Sequence, residues 1–182
     1  RKKNTIIHVN HPDLYNPLFE KIGLYKKQIG KIKFVTFNFG KFDYQYTVKR
    51  KVLPCIDWLP HILATLTFFL NQKIKLDVKK NYLIVKRKCY FQEVKIDVWD
   101  QKNRVGEIKY SNFEKNRNIN IYGSKGHIRY DSYNIKNNFV KIKNKIIILN
   151  KYKFKTPMEN LFYKFNSSIK KRKNINELKI VL

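Results

Sequence analysis

Hydrophobic residues along this chain switch between a helical and a two-residue period, and the switches predict its elements. His11-Pro12-Asp13 precedes Leu14, Leu18, Phe19 and Ile22 at helical spacing, with Gly23 as a stop, which predicts a short helix. From Lys31 the period becomes two: Ile32, Phe34, Thr36 and Asn38 lead to a Gly40-Lys41 turn and then Phe42, Tyr44, Tyr46 and Val48, a predicted hairpin ending at Lys49. Trp58, Ile62, Leu66 and Leu70 stand four apart after Pro54 and Pro60, which predicts a buried helix starting at Trp58. Strands are predicted over residues 74–78, 82–86 and 90–99, with Lys79-Lys80-Asn81 as the turn between the first two.

Beyond Asp100-Gln101-Lys102-Asn103 the texture becomes one of short, regular strands, over 105–110, 118–122, 127–130, 139–142 and 146–149. Thr156 is placed as an N-cap, with Pro157 at the first helical position and Glu159 in the first turn. Met158, Leu161, Phe162, Phe165 and Ile169 then share a face, and residues 178–182 read as a last strand. The fold class expected is α+β in two small domains, residues 1–102 and 103–182, the second a short-stranded antiparallel sheet packed on one helix.

Charge changes the picture. The 182 residues carry a net +27, split almost evenly as +13 over residues 1–102 and +14 over 103–182. Such a chain calls for a dispersed polyanion, and RNA fits better than a membrane, whose binders concentrate charge on one amphipathic face. The 43% hydrophobic and 15% aromatic content excludes a solvated basic tail. Residues 62–70, the longest apolar run, are too few for a bilayer span. Cys55 and Cys89 read as free thiols of a reducing compartment, with nothing like a secretory leader before them. The abundance of Lys, Asn, Ile, Phe and Tyr beside a single alanine, Ala64, reflects adenine- and thymine-rich codons, as in an organelle gene or an AT-rich nucleus.

The densest cationic groups are Lys49-Arg50-Lys51, Lys86-Arg87-Lys88 and Lys170-Lys171-Arg172-Lys173, joined by Lys125 and Arg129 around His127. On an ordinary surface these would be solvated; at +27 they are expected to contact RNA phosphates. Glu93-x-Lys95 and Glu107-x-Lys109, near Asp97 and Asp100, have the carboxylate and lysine spacing of metal-dependent nucleases. Glu-x-Lys also arises easily in a lysine-rich strand, and neither pair has the separate upstream acid that completes such a site. His8, His11, His61 and His127 with the two cysteines never reach zinc-ligand spacing, and no Gly-rich phosphate loop or catalytic triad order occurs.

Residues 103–182 resemble the first domain of the sixth universal protein of the large ribosomal subunit, uL-six. Its opening Ser-Arg-Ile-Gly-Lys-Lys-Pro-Ile is similar to Asn103-Arg104-Val105-Gly106-Glu107-Ile108-Lys109-Tyr110, without the proline. Its Val-x-Val-x-Gly-Pro-x-Gly-x-Leu strand and turn is similar to the segment from Ile119 to Ile128, where Gly123 and Gly126 are expected to permit a positive-φ turn with Lys125 at its tip. Glu177-Leu178-Lys179-Ile180-Val181 is similar to the family's entry to a second domain. The resemblance implies a structural constituent of a mitochondrial, or plastid-type, large subunit. Its partners would be ribosomal RNA and ribosomal proteins, including a separately encoded second half, with no cofactor, small-molecule substrate or catalysis. The alternatives are a metal-dependent nuclease using Glu93/Lys95 or Glu107/Lys109, and a non-ribosomal basic organelle protein.

Overall fold

β1 (Ile32–Gly40) runs through the middle of the molecule, and its alternation explains why: Val35, Phe37 and Phe39 are buried, while Phe34, Thr36 and Asn38 face the other way. The computed structural model describes residues 12–41, 49, 51–70, 73–149 and 156–171. Seven further strands complete one sheet: β2 (Lys75–Lys86), β3 (Cys89–Trp99), β4 (Arg104–Ser111), β5 (Asn116–Gly123), β6 (Gly126–Asp131), β7 (Phe139–Ile142) and β8 (Lys145–Ile148). Their spatial order is β2-β3-β4-β1-β5-β6-β7-β8. Only β1 and β4 run parallel, with Thr36 beside Glu107; the other neighbours are antiparallel.

The helices cover one face. α1 (Pro17–Lys26) buries Leu18, Phe19 and Ile22, and α2 (Pro54–Leu70) buries Ile62, Leu66 and Phe69. These join Val35, Phe37, Val94, Ile96, Ile108, Ile119, Ile121, Ile128 and Val140 in a single core. α3 (Pro157–Lys171) docks on the 3₁₀ turn Pro12–Tyr15 and on α1, its Asn160 amide donating to the Tyr15 carbonyl at 3.0 Å and Lys164 pairing with Glu20 at 2.8 Å. The opposite face of the sheet is polar: Asn120 donates to Thr36 and Asn38 to Asn118, at 3.0 and 2.9 Å.

The expected pair of small domains is thereby corrected to one mixed eight-stranded sheet with three helices. Both long edges of β1 are taken, by β4 and β5, so it is not the first arm of a local hairpin; Phe42–Val48 lies outside the described residues, as does the strand expected over 178–182. Residues 100–103 form a tight turn, the Asp100 carboxylate accepting the N–H groups of Lys102 and Asn103 at 2.8 and 2.7 Å. Lys79-Lys80-Asn81 is not a turn; β2 passes through it with a bulge between Val78 and Lys80. α2 begins at Pro54, because proline is suited to a helix's first position, and it tolerates Pro60 in its interior.

Gly123 and Gly126 do not adopt positive φ, which among the glycines belongs to Gly30 at 79°. What they supply is space. A Cβ at Gly123 would collide with the Ile29 carbonyl oxygen, and one at Gly126 with that of Lys141.

Candidate functional site

α2 has one face in the core and another turned outward, and the outward side of its first half carries Asp57 and His61. Asp57 is exposed and His61 half-buried, one turn apart, which brings the two side chains to the same side of the helix. The Trp58 ring lies 5.8 Å from that of His61. Arg117, on β5, reaches under the helix and sits 5.6 Å from the Trp58 ring and 5.7 Å from Phe39. A shallow depression opens here, lined by Phe39, Lys41, Trp58, Asn116, Arg117 and Tyr133, with Lys115 over the Tyr133 ring at 4.8 Å. The Trp58 Nε1 is buried and finds no acceptor among the described residues.

The helix start is fixed from the sheet. The Gln92 side chain on β3 accepts the Cys55 N–H at 3.0 Å, while Ile56 and Asp57 donate to the Leu53 carbonyl at 3.0 and 3.3 Å. This anchors the turn that carries Asp57. A carboxylate four residues before an imidazole on one side of a helix can orient the ring toward a bound oxygen. The nearby cations favour an anionic ligand.

The residues expected to contact RNA do not form one surface. Lys49 and Lys51 are exposed ahead of α2. Lys86, Arg87 and Lys88 make the β2–β3 turn at one edge of the sheet. Lys125 is exposed in the β5–β6 turn at the opposite end of the strands, Arg129 is half-buried near Asp131 at 3.8 Å, and Lys170 is exposed late in α3. Lys171 closes α3; Arg50, Arg172 and Lys173 lie outside the described residues.

The nuclease carboxylates are engaged elsewhere. Glu93 pairs with Lys80 at 3.1 Å, and Glu107 with Lys95 at 3.1 Å and with Arg104 at 2.5 Å. Among the described residues no group of His, Cys, Asp and Glu could hold a metal ion, and no helix is long and apolar enough to cross a membrane.

Comparison with solved structures shows the fold. A 3-ketoreductase from Actinomadura kijaniata, in complex with NADP and TDP-benzene, matches 97% of this chain and 58% of its own with a TM-score of 0.71 at 12% identity. An oxidoreductase from Sinorhizobium meliloti matches 97% and 57% with a TM-score of 0.68 at 10% identity. A super-repressor mutant of Gal80p from Saccharomyces cerevisiae matches 95% and 54% with a TM-score of 0.63 at 13% identity. The chain spans little more than half the length of these neighbours. No protein-family model matches the chain, and no curated protein does.

These neighbours overturn the resemblance to uL-six and the reading built on it, a non-catalytic ribosomal scaffold with a nuclease or a basic organelle protein as alternatives. Within residues 104–128 the resemblance falls on real strands with a real turn, but β5 pairs with β1 of the first half rather than closing a separate small sheet, and Glu177–Val181 lies outside the described residues.

Proposed function

We propose that this chain is the substrate-side domain of an oxidoreductase, in which His61 exchanges a proton with a hydroxyl or carbonyl oxygen of the substrate and Asp57 orients its ring. The observation that carries the reading is the placement of Asp57 and His61 four residues apart on α2, with the His61 ring 5.8 Å from that of Trp58, which lines a depression with Arg117 and Lys41, on a sheet shared with oxidoreductases over 97% of this chain. The substrate class is a small hydroxy or carbonyl compound bearing negative charge, held through Arg117 and Lys115, with the Trp58 indole N–H as donor to one of its oxygens.

A nicotinamide dinucleotide supplies or takes up the hydride in such enzymes when it is bound. The described residues do not fit one. The three α-helices described each start at a proline, and N–H groups of their first turns are engaged internally: Leu18 by the Asn16 side chain, Cys55 by Gln92, and Glu159 by the Thr156 hydroxyl. Neither α1 nor α2 leaves its first N–H open to a pyrophosphate, and the sequence has no Gly-rich loop to supply such a site. This domain's part is confined to holding the substrate and moving its proton.

The test is titration of the protein with small hydroxy acids and sugar phosphates, following the His61 ring and the Trp58 indole N–H by NMR. Both resonances should move, and His61→Gln or Arg117→Ala should weaken the response. If no anionic hydroxy compound moves either signal, the substrate-side reading fails. The Gal80p likeness favours a second reading, a regulator that binds such a ligand without transforming it. Binding that persists unchanged in the Asp57→Asn and His61→Gln variants would favour that one.

A further inference from the structure

β2 lies at one end of the sheet, and its outer edge meets no strand among the described residues. Such an edge is a template for another chain and is usually blunted. Here the blunting is local: a bulge between Val78 and Lys80, with Lys79 paired to Asp77 at 2.6 Å and Lys80 to Glu93 at 3.1 Å. From Asn81 to Val85 nothing interrupts it. Tyr82, Leu83, Ile84 and Val85 are 58%, 43%, 53% and 56% exposed. The register puts Tyr82 and Ile84, opposite Glu93 and Phe91, on the polar face of the sheet, and Leu83 and Val85, opposite Gln92 and Tyr90, on the helix-covered face. Both faces of this strand therefore present apolar surface beside main-chain groups that pair with no strand among the described residues.

Charge decides what can fill it. Between Lys75 and Lys88 six cationic side chains stand against one carboxylate, Asp77. A second copy pairing antiparallel with Tyr82–Val85 in register would set Lys80 opposite Arg87 and Lys79 opposite Lys88, like charges directly across a ladder. A nucleic acid would meet the basic turn but would cover none of the aliphatic side chains and use none of the main-chain edge.

We propose that β2 captures an extended, acidic segment of another protein as a ninth strand, with apolar or β-branched residues facing Tyr82–Val85 and Asp or Glu facing Lys79, Lys80 and Lys86–Lys88. Main-chain hydrogen bonds supply the affinity and the flanking charges set the register.

The probe is a labelled synthetic peptide with an alternating valine and threonine centre flanked by glutamates, followed by fluorescence anisotropy on the whole protein. It should bind, and the same peptide N-methylated at alternate amides along one edge should bind at least roughly tenfold more weakly. Lys80→Glu with Arg87→Glu, both exposed, should weaken it by about the same factor while leaving the circular dichroism unchanged. Absence of binding, or equal binding by the N-methylated peptide or by polyglutamate, overturns the proposal. Tighter binding of a single-stranded oligonucleotide assigns the edge to nucleic acid, and a dimer abolished by Tyr82→Lys assigns it to a second copy; either result also overturns it.

Discussion

The side-chain oxygen of Gln92, a residue 2% exposed, accepts the main-chain N–H of Cys55 at 3.0 Å. The same amide donates to Asn81 at 2.9 Å, and the main-chain N–H of Gln92 donates to the Asn112 side chain at 2.6 Å. One buried glutamine thus ties the start of α2 to β2 and β3. Gln92→Ala leaves the Cys55 N–H without its partner and should cost about 2 kcal/mol in urea unfolding. Because Asp57 lies in the turn so anchored, the ligand response of Trp58 and His61 should weaken with it. A variant as stable as the parent would show that water replaces the glutamine.

Arg104 holds the carboxylates that the sequence offered as metal ligands. Its Nε lies 2.7 Å from Asp97, which is 8% exposed, its terminal nitrogen 2.5 Å from Glu107, and its guanidinium 5.2 Å from the Phe34 ring centre. Arg104→Met strands the Asp97 charge and should destabilise by about 3 kcal/mol. Asp97→Asn in the same chain should recover part of that loss, so the double variant unfolds at a higher denaturant concentration than Arg104→Met alone. Additive losses would deny that the two groups are coupled.

Much of the local structure is legible from alternation, and its limits are physical. Ile119 and Ile121 facing Ile128 and Tyr130 announce the β5–β6 pair, because a short turn makes neighbours in sequence neighbours in the sheet. Alternation at Thr36 says which face is buried but not that its neighbours are Glu107 and Asn120, far along the chain, and so the single sheet is invisible. Lys79-Lys80-Asn81 has the composition of a turn, yet an edge strand tolerates polar residues on both faces. The candidate site was missed for a related reason. Starting the helix at Trp58 leaves Asp57 outside it, and only a start at Pro54 puts Asp57 and His61 on one side. The signal that could have found them is the spacing of four between a carboxylate and a histidine in an otherwise apolar helix.

α3 carries a reciprocal cap that the sequence predicts only in part. The Thr156 hydroxyl accepts the Glu159 N–H at 3.3 Å, and the Glu159 carboxylate accepts the Thr156 N–H at 2.6 Å. Thr156→Ala should lower stability by about 1 kcal/mol, measured by urea unfolding, whereas Thr156→Ser should cost little. Equal losses in both would mean that the methyl group, not the hydroxyl, is what counts.

His127 gives the fold an acid limit. Its ring stacks on Tyr122 at 4.4 Å, meets Phe139 edge-on at 5.3 Å, and has a buried Nε2 with no acceptor among the described residues. Burial, followed by the positive charges of Arg129 and Lys141, holds its pKa below the ordinary histidine value. The neutral ring is therefore the native form, and the unfolded chain binds the proton more readily than the folded one. The stability this group contributes is present above its unfolded pKa of about 6.5 and is lost as the pH falls from there through the lower folded value. Unfolding free energy should decline as the pH falls below about 6.5, before most carboxylates titrate. His127→Phe keeps the stacked ring and removes the titration, so its stability should stay level over that range and exceed the parent's at the acid end. Parallel declines in parent and variant would place the acid sensitivity in another group.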